Sequence, residues 1–302
     1  MRAILAMALV AAAAVGAGAG EWQLTTANAN SAHPAWCGDL IVFQSDRDGY
    51  GGFQIWGTSE QGESRSWRVT NQSWMSYTQP SWNCDVHMVA FQGTGVRDHG
   101  IYMVYDIGPP TFWPILAPYG PGDNEAPAYL GGYVVFHSDR EGQDDVYIVP
   151  EGGAERSATR LTTSPAADQS PSLSPDGQWI AFSSDRAGDF DIWVTGPGGE
   201  ADTLRRVTAT SARDLEPAWS PGGTHIAFAR GGAGIVVVEV ASRTEYQVTT
   251  NGTDSSPAWS PEGNMIAFTR HGAHDQIWCS DNLPPETGVE KVSWGSIKAR
   301  YR

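Results

Sequence analysis

The sequence predicts an all-β protein, a six-bladed β-propeller of four-stranded antiparallel blades. Two observations carry this. A phrase of Pro, a small residue, usually an aromatic, a turn and then an Ile/Val-Ala/Val-Phe triplet recurs six times, opening at Pro34, Pro80, Pro127, Pro171, Pro217 and Pro257. The intervals between these prolines are 46, 47, 44, 46 and 40 residues, and a repeat of about 40–50 residues is the length of one propeller blade.

The fourth copy shows how one blade is made. Pro171 to Leu173 is read as the first strand and Ser174-Pro175-Asp176-Gly177 as a turn, with Pro fixing φ and Gly free to take a positive φ. Ile180-Ala181-Phe182 is the second strand, Asp185 to Gly188 a second turn, Asp191 to Val194 the third strand, and Arg206-Val207-Thr208 the end of the fourth. Side chains alternate along a strand, so Ile180 and Phe182 face one way and Ala181 the other. Neither face is polar, which a sheet tolerates only when both are covered. The blades are therefore expected to close into a ring, a bulky face against the small-residue face of a neighbour.

The other copies repeat the pattern. Closing strands are expected at Arg68-Val-Thr, Arg160-Leu-Thr, Gln247-Val-Thr and Lys291-Val-Ser, with Phe112-Trp-Pro-Ile-Leu116 standing in for copy two. Gln23-Leu24-Thr25 precedes the first copy and is expected to join the sixth blade, hiding sheet edges that would otherwise invite pairing.

Residues 1–19 read as a signal peptide, with Arg2, an apolar run from Ala3 to Val15 and the small-x-small site Ala17-Gly18-Ala19. A membrane anchor is the alternative, but the run is short and no basic stop follows. No Cys sits near the cleavage point, which argues against a lipoprotein anchor. Residues 20–302 then form a single domain, periplasmic or secreted and expected to be monomeric. Cys37 and Cys84 occupy nearly the same place in adjacent copies; in an oxidising compartment they either pair or remain two small buried thiols, and Cys279 is left over.

Acidic residues outnumber basic ones 34 to 19, for a net charge of −15. That balance repels phosphate backbones and anionic headgroups, so neither nucleic acid nor membrane insertion is expected.

The phrases Pro-Ala-Trp-Ser-Pro-[Gly/Glu]-Gly and Pro-Ser-Leu-Ser-Pro-Asp-Gly-x-x-Ile-Ala-Phe-Ser-Ser-Asp-Arg-x-Gly resemble the TolB-like β-propeller repeat of bacterial exported proteins, over essentially all of residues 33–293. The resemblance implies six blades around a central channel. In TolB itself such a propeller follows an N-terminal α/β domain and binds partner proteins of the cell envelope. That domain is not expected here, because copy one follows closely on the leader. Some lyases with such blades hold a metal through channel histidines, which would make His33 and His137 the candidate ligands.

Loops joining blades should rim one mouth of the channel. Three residues before each repeat proline stand Ser31, Tyr77, Asn124, Asp168, Asp214 and Asp254. One residue before stand His33, Gln79, Ala126, Ser170, Glu216 and Ser256, with Asp123 and Glu125 nearby. Asp168, Asp214, Glu216 and Asp254 suggest an acidic rim that attracts a cationic group; the alternative is that Asp closes loops through backbone contacts. Trp74, Tyr77 and Tyr119 are read as exposed binding anchors, or as local loop packing. His33, His99, His137, His271 and His274 fall on the mouth side, and His87 and His225 at the far end. No metal-ligand spacing appears among them.

Asp-Arg pairs at 46–47, 139–140 and 185–186 recur at one repeat position and are read as turn contacts. There is no Gly-x-Ser-x-Gly elbow and no nucleophile apart from the repeats. The leading expectation is a non-catalytic module binding a protein or peptide through His33, Trp74, Tyr77, Gln79, Asn124, Glu125, Asp168, Asp214, Glu216 and Asp254, with no cofactor. The alternative is a lyase-type enzyme acting on polysaccharide or oligosaccharide, with a metal held by channel histidines. A receptor module for a separate protein is a third reading.

Overall fold

The computed structural model describes residues 20–49, 51–60, 62–71, 75–94, 99–105, 113–116, 122–152, 157–199 and 203–284. The leader, Trp74, Tyr119 and the expected strand at Lys291 lie outside the described residues. Within them, twenty-four strands form six four-stranded antiparallel sheets. A short 3-10 turn, Cys84–Val86, lies between the strands Ser76–Asn83 and Met88–Thr94.

The innermost strands are β2 (Ser31–Cys37), β6 (Ser76–Asn83), β10 (Asn124–Leu130), β14 (Asp168–Leu173), β18 (Asp214–Trp219) and β22 (Asp254–Trp259). Each is followed outward by the next two or three strands of the chain. Blade six takes its outer strand from the other end: β1 (Glu21–Gln23) pairs with β24 (Gln276–Ser280), Trp22 opposite Cys279. Leu24 and Thr25 extend this closure, both donating backbone N–H to the Ile277 carbonyl at 2.8 and 3.3 Å.

The closing Leu/Val-Thr has a physical reason. Thr25, Thr70, Thr162, Thr208 and Thr249 are buried, and each Oγ1 accepts the backbone N–H of a third-strand residue at 2.8–3.0 Å. The preceding Leu or Val donates its own N–H to the carbonyl of that same residue. A buried N–H left alone would cost about 1–3 kcal/mol, which a Thr hydroxyl removes.

One hydrophobic cluster fills each junction between blades. Ile180 and Phe182 pack on Val135 and Val146 of the preceding blade, while Ala181 meets Ile226 and Phe228 of the following one. Ile41 and Phe43 pack on Ala267 and Ile277, which closes the ring. The six repeat phenylalanines, Phe43, Phe91, Phe136, Phe182, Phe228 and Phe268, are all fully buried, each contributing about 1.5–3 kcal/mol of apolar burial. Cys37 and Cys84 are joined as a disulfide between blades one and two, their Cα atoms 5.5 Å apart. Cys279 is a buried free thiol, pushed up to about 12 by burial and, secondarily, by Glu60.

Candidate functional site at the channel mouth

The inner strands surround an axial cavity of about 320 Å³. Each carries a bulge at the residue before its proline, where pairing with the second strand shifts register. That residue is left-handed in every blade: His33, Gln79, Ala126, Ser170, Glu216 and Ser256 have φ of 47–56°. For residues other than Gly such a conformation costs on the order of 1–2 kcal/mol and must be held by its surroundings.

The neighbouring blade does the holding. The N–H of His33 donates to Thr269 Oγ1 (2.9 Å), that of Gln79 to Gln44 Oε1 (2.9 Å), that of Ser170 to His137 Nδ1 (3.4 Å) and that of Glu216 to Ser183 Oγ (3.1 Å). Each acceptor directly follows the repeat Phe of the preceding blade. In blade five that position is Ala229, which has no side-chain acceptor, and Glu216 Oε2 takes the Ser256 N–H instead at 2.6 Å. Gln79 Oε1 does the same for Ala126 at 2.8 Å. The bulge thus turns six side chains toward the channel and locks each one from the side.

Three of these six rim side chains, His33, Gln79 and Glu216, were candidates from the sequence, and all three line the cavity. His33 Nδ1 lies 3.1 Å from Ser256 Oγ, which is itself 3.3 Å from Glu216 Oε2, so a polar chain runs across blades five, six and one. Burial holds the His33 imidazole below its ordinary value; Glu216 and Asp275 oppose this and His271 reinforces it.

The carboxylates expected to form the rim are placed elsewhere. Asp168, Asp214 and Asp254 are buried, and each receives two hydrogen bonds from an arginine: Arg186 (2.8 and 2.9 Å), Arg230 (2.8 and 2.9 Å) and Arg270 (2.7 and 2.8 Å). Each guanidinium also lies over its blade's Phe182, Phe228 or Phe268, 5.1–5.3 Å from the ring centre. The three aspartates are therefore neutralised within their blades and supply no open negative rim. Asn124 is buried in the same position and accepts from Arg140. Tyr77, expected as an exposed anchor, is 2% exposed and packs edge-on against Phe91 at 5.1 Å. The aspartates of the Asp-Arg pairs hold turns: Asp46, Asp139 and Asp185 accept the backbone N–H of Asn30, Asp123 and Ala167.

Glu125 belongs to a second group, between blades two and three. His99, at the start of β8 (His99–Tyr105), places Nδ1 3.0 Å from Glu125 Oε1 and 3.4 Å from Asp123 Oδ2. His137, on β11 (Tyr133–Ser138), points Nε2 toward Glu125 Oε2 at 3.8 Å. Burial lowers the His137 value against the pull of Asp144, Glu125 and Asp139. The structure does not bring His33 and His137 together: one meets Ser256, the other Glu125 and Ser170. His99 was visible in the sequence only as a mouth-side histidine. The signal that it joins Asp123, Glu125 and His137 is that all four depart from the repeat at one blade junction.

Six sheets in a ring, closed by the chain's own first strand around an open axis, define a six-bladed propeller. The chain belongs to the TolB beta propeller domain family, whose model matches residues 118–281. No curated protein matches it. Among solved structures, TolB from Acinetobacter baumannii is similar at TM-score 0.63 and 20% identity, over 78% of this chain and 61% of that one. The present chain thus spans less than two thirds of that TolB. A gluconolactonase, XC5397 from Xanthomonas campestris, is similar at TM-score 0.67 and 16% identity, covering 88% and 90% of the two chains. An oligogalacturonate lyase in complex with manganese is similar at TM-score 0.58 and 12% identity, covering 90% and 95%. At these identities the likeness extends to the fold alone, and one propeller scaffold hosts many chemistries. Among the described residues no helix is long and apolar enough to cross a membrane.

Proposed function

We propose that this protein is an exported binding module that holds a segment of a protein or peptide partner in the mouth of its channel. The observation that carries the reading is the rim itself. Six side chains are turned inward by one repeated bulge and fixed by the neighbouring blade, around a cavity of about 320 Å³. Such a rim is preorganised, so little ordering cost opposes binding, and the volume sits at the small end of ligand pockets. Membership of the TolB beta propeller family supports the same reading.

With Asp168, Asp214 and Asp254 neutralised, the acidic character of the channel rim falls to Glu216, among the polar His33, Gln79, Ser170 and Ser256. These favour a neutral or cationic segment. The enzyme reading, with a metal held jointly by His33 and His137, has less support because those two imidazoles serve separate contacts.

Placing a photo-crosslinking residue at Gln79 tests the proposal. It should capture a partner from envelope extract that the same probe at Tyr105, exposed on an outer face, does not. Ala126→Arg keeps the backbone and fills the channel, and should abolish the capture. Capture that is undiminished in Ala126→Arg would rule the mouth out.

A further inference from the structure

We infer that His99, Asp123 and Glu125, backed by His137, form a divalent metal site of the zinc class at the junction of blades two and three. It is distinct from the channel rim and independent of the binding role proposed for that rim.

The first argument is geometric. Four ligands about 2.1 Å from a tetrahedral ion stand about 3.4 Å from one another. His99 Nδ1 stands 3.0 Å from Glu125 Oε1 and 3.4 Å from Asp123 Oδ2, close to that edge length, while His137 Nε2 approaches the other Glu125 oxygen, Oε2, at 3.8 Å. The ligand atoms of His99, Asp123 and Glu125 all lie within 4.8 Å of one another.

The second argument is electrostatic. Two carboxylates share one imidazole nitrogen, which has at most one proton to give, and like charges this close repel. A divalent ion would meet the remaining charge.

His137 supplies a separate observation. It is 7% exposed, and its Nδ1 is turned to the Ser170 N–H. That leaves Nε2 directed at Glu125 from beyond hydrogen-bond range, with no hydrogen bond of its own. A ring nitrogen turned toward a carboxylate of the cluster is placed to support an ion bound there.

The repeat gives an internal control. Where His99 stands in blade two, register places Phe53, Asp144, Phe190, Ala233 and Asp275 in the other blades. Where His137 stands after the repeat Phe, the others have Gln44, Gln92, Ser183, Ala229 and Thr269. The fold requires neither histidine, yet both arrive at one junction with two acids. An imidazole beside two carboxylates suits zinc better than calcium or magnesium, which take oxygen ligands.

The test is a zinc titration of the full chain, stripped with chelator, by calorimetry, with cobalt(II) as a spectroscopic substitute. A single zinc ion per chain should bind in the micromolar range or tighter, and cobalt should give the visible bands of a tetrahedral nitrogen–oxygen site. His99→Ala and Asp123→Asn should each weaken zinc by about tenfold or more. Both residues are partly exposed, and a thermal melt will verify that the variants fold. His271→Ala, which breaks the exposed 3.0 Å pair with Asp275, should bind as the parent does. Absence of saturable zinc binding would overturn the assignment, as would binding that survives the double variant His99→Ala, Asp123→Asn.

Discussion

Blades four to six and blades one and two fasten the same fold in different ways. In the later blades a buried Asp three residues before the proline is gripped by an Arg that lies over the blade's Phe. Arg230 and Arg270 are also joined from outside by Glu245 and Glu21; hydrogen bonds to Glu245 and Asp214 hold the Arg230 guanidinium above its ordinary value, and those to Asp254 and then Glu21 do so for Arg270. Blade one keeps the Arg over its Phe, with Arg47 over Phe43 and Trp56, but meets it with Ser31 at 3.2 Å and Ser45 at 3.0 Å where the later blades have the buried Asp. Among the described residues of blade two no Arg stands there: Tyr77, Phe91 and Tyr102 fill the space, and a Cβ on Gly93 would stand 2.5 Å from the Tyr102 ring. A disulfide joins these two blades. One structural demand, anchoring the inner strand at the mouth, is met by charge in one half and by aromatic packing and a covalent link in the other.

The largest effect should come from breaking the charged fastening. Asp168→Ala leaves the Arg186 guanidinium, whose side chain is 10% exposed, without its carboxylate. Removing one partner of a buried pair typically costs about 3–5 kcal/mol, to be read as a lower urea midpoint. A loss below about 1 kcal/mol, the scale of a surface pair, would show that the pair is incidental and the comparison empty.

Second in size is the disulfide. Its sequence separation of 47 corresponds to about 4 kcal/mol of loop-closure entropy, and losses of native bridges run about 2–5 kcal/mol. Cys37→Ser with Cys84→Ser should lower stability by about 2–4 kcal/mol, and reductant should do the same to the parent while leaving the double variant unchanged. If the double variant matches the parent, blades one and two do not depend on the link.

The sequence announced the ring more clearly than the site, and the reason is physical. Blade number, strand order and the closing Gln23-Leu24-Thr25 all follow from short-range patterns: a proline period, an alternation around Phe182, a Leu/Val-Thr ending. Each is local in the chain and repeated, so one copy interprets another. The fate of Asp168, Asp214 and Asp254 was not local. Whether an Asp near a mouth faces water or an Arg is decided by a second strand whose end lies sixteen to eighteen residues away. The repeat contained the clue, because Arg186, Arg230 and Arg270 all lie within four residues after the repeat Phe. Tyr77 misled for a related reason. It looked like an exposed anchor because the other blades place polar residues there, and only the absence of an Arg after Phe91, with Gly93 in its place, points to an aromatic core. His33, Gln79 and Glu216 line the channel because the bulge before each proline turns that residue inward and the neighbouring blade holds it.

The smallest predicted effect sharpens the comparison from the aromatic side. If blade two is held by ring packing, the Tyr77 hydroxyl should matter little. The hydroxyl makes a weak contact with Met75 Sδ at 3.8 Å, and burial, then Tyr102, pushes the phenol above its ordinary value, so it is neutral at any physiological pH. Tyr77→Phe keeps the edge-on contact with Phe91 and should cost less than about 1 kcal/mol. That is several-fold less than Asp168→Ala at the equivalent position. Tyr77→Ala removes the ring and should cost about 3–5 kcal/mol, as for other buried aromatics. The two substitutions together separate shape from polarity. A Tyr77→Phe penalty above about 2 kcal/mol would mean that the hydroxyl satisfies a buried partner, and that blade two, like blades four to six, is fastened by a polar contact after all.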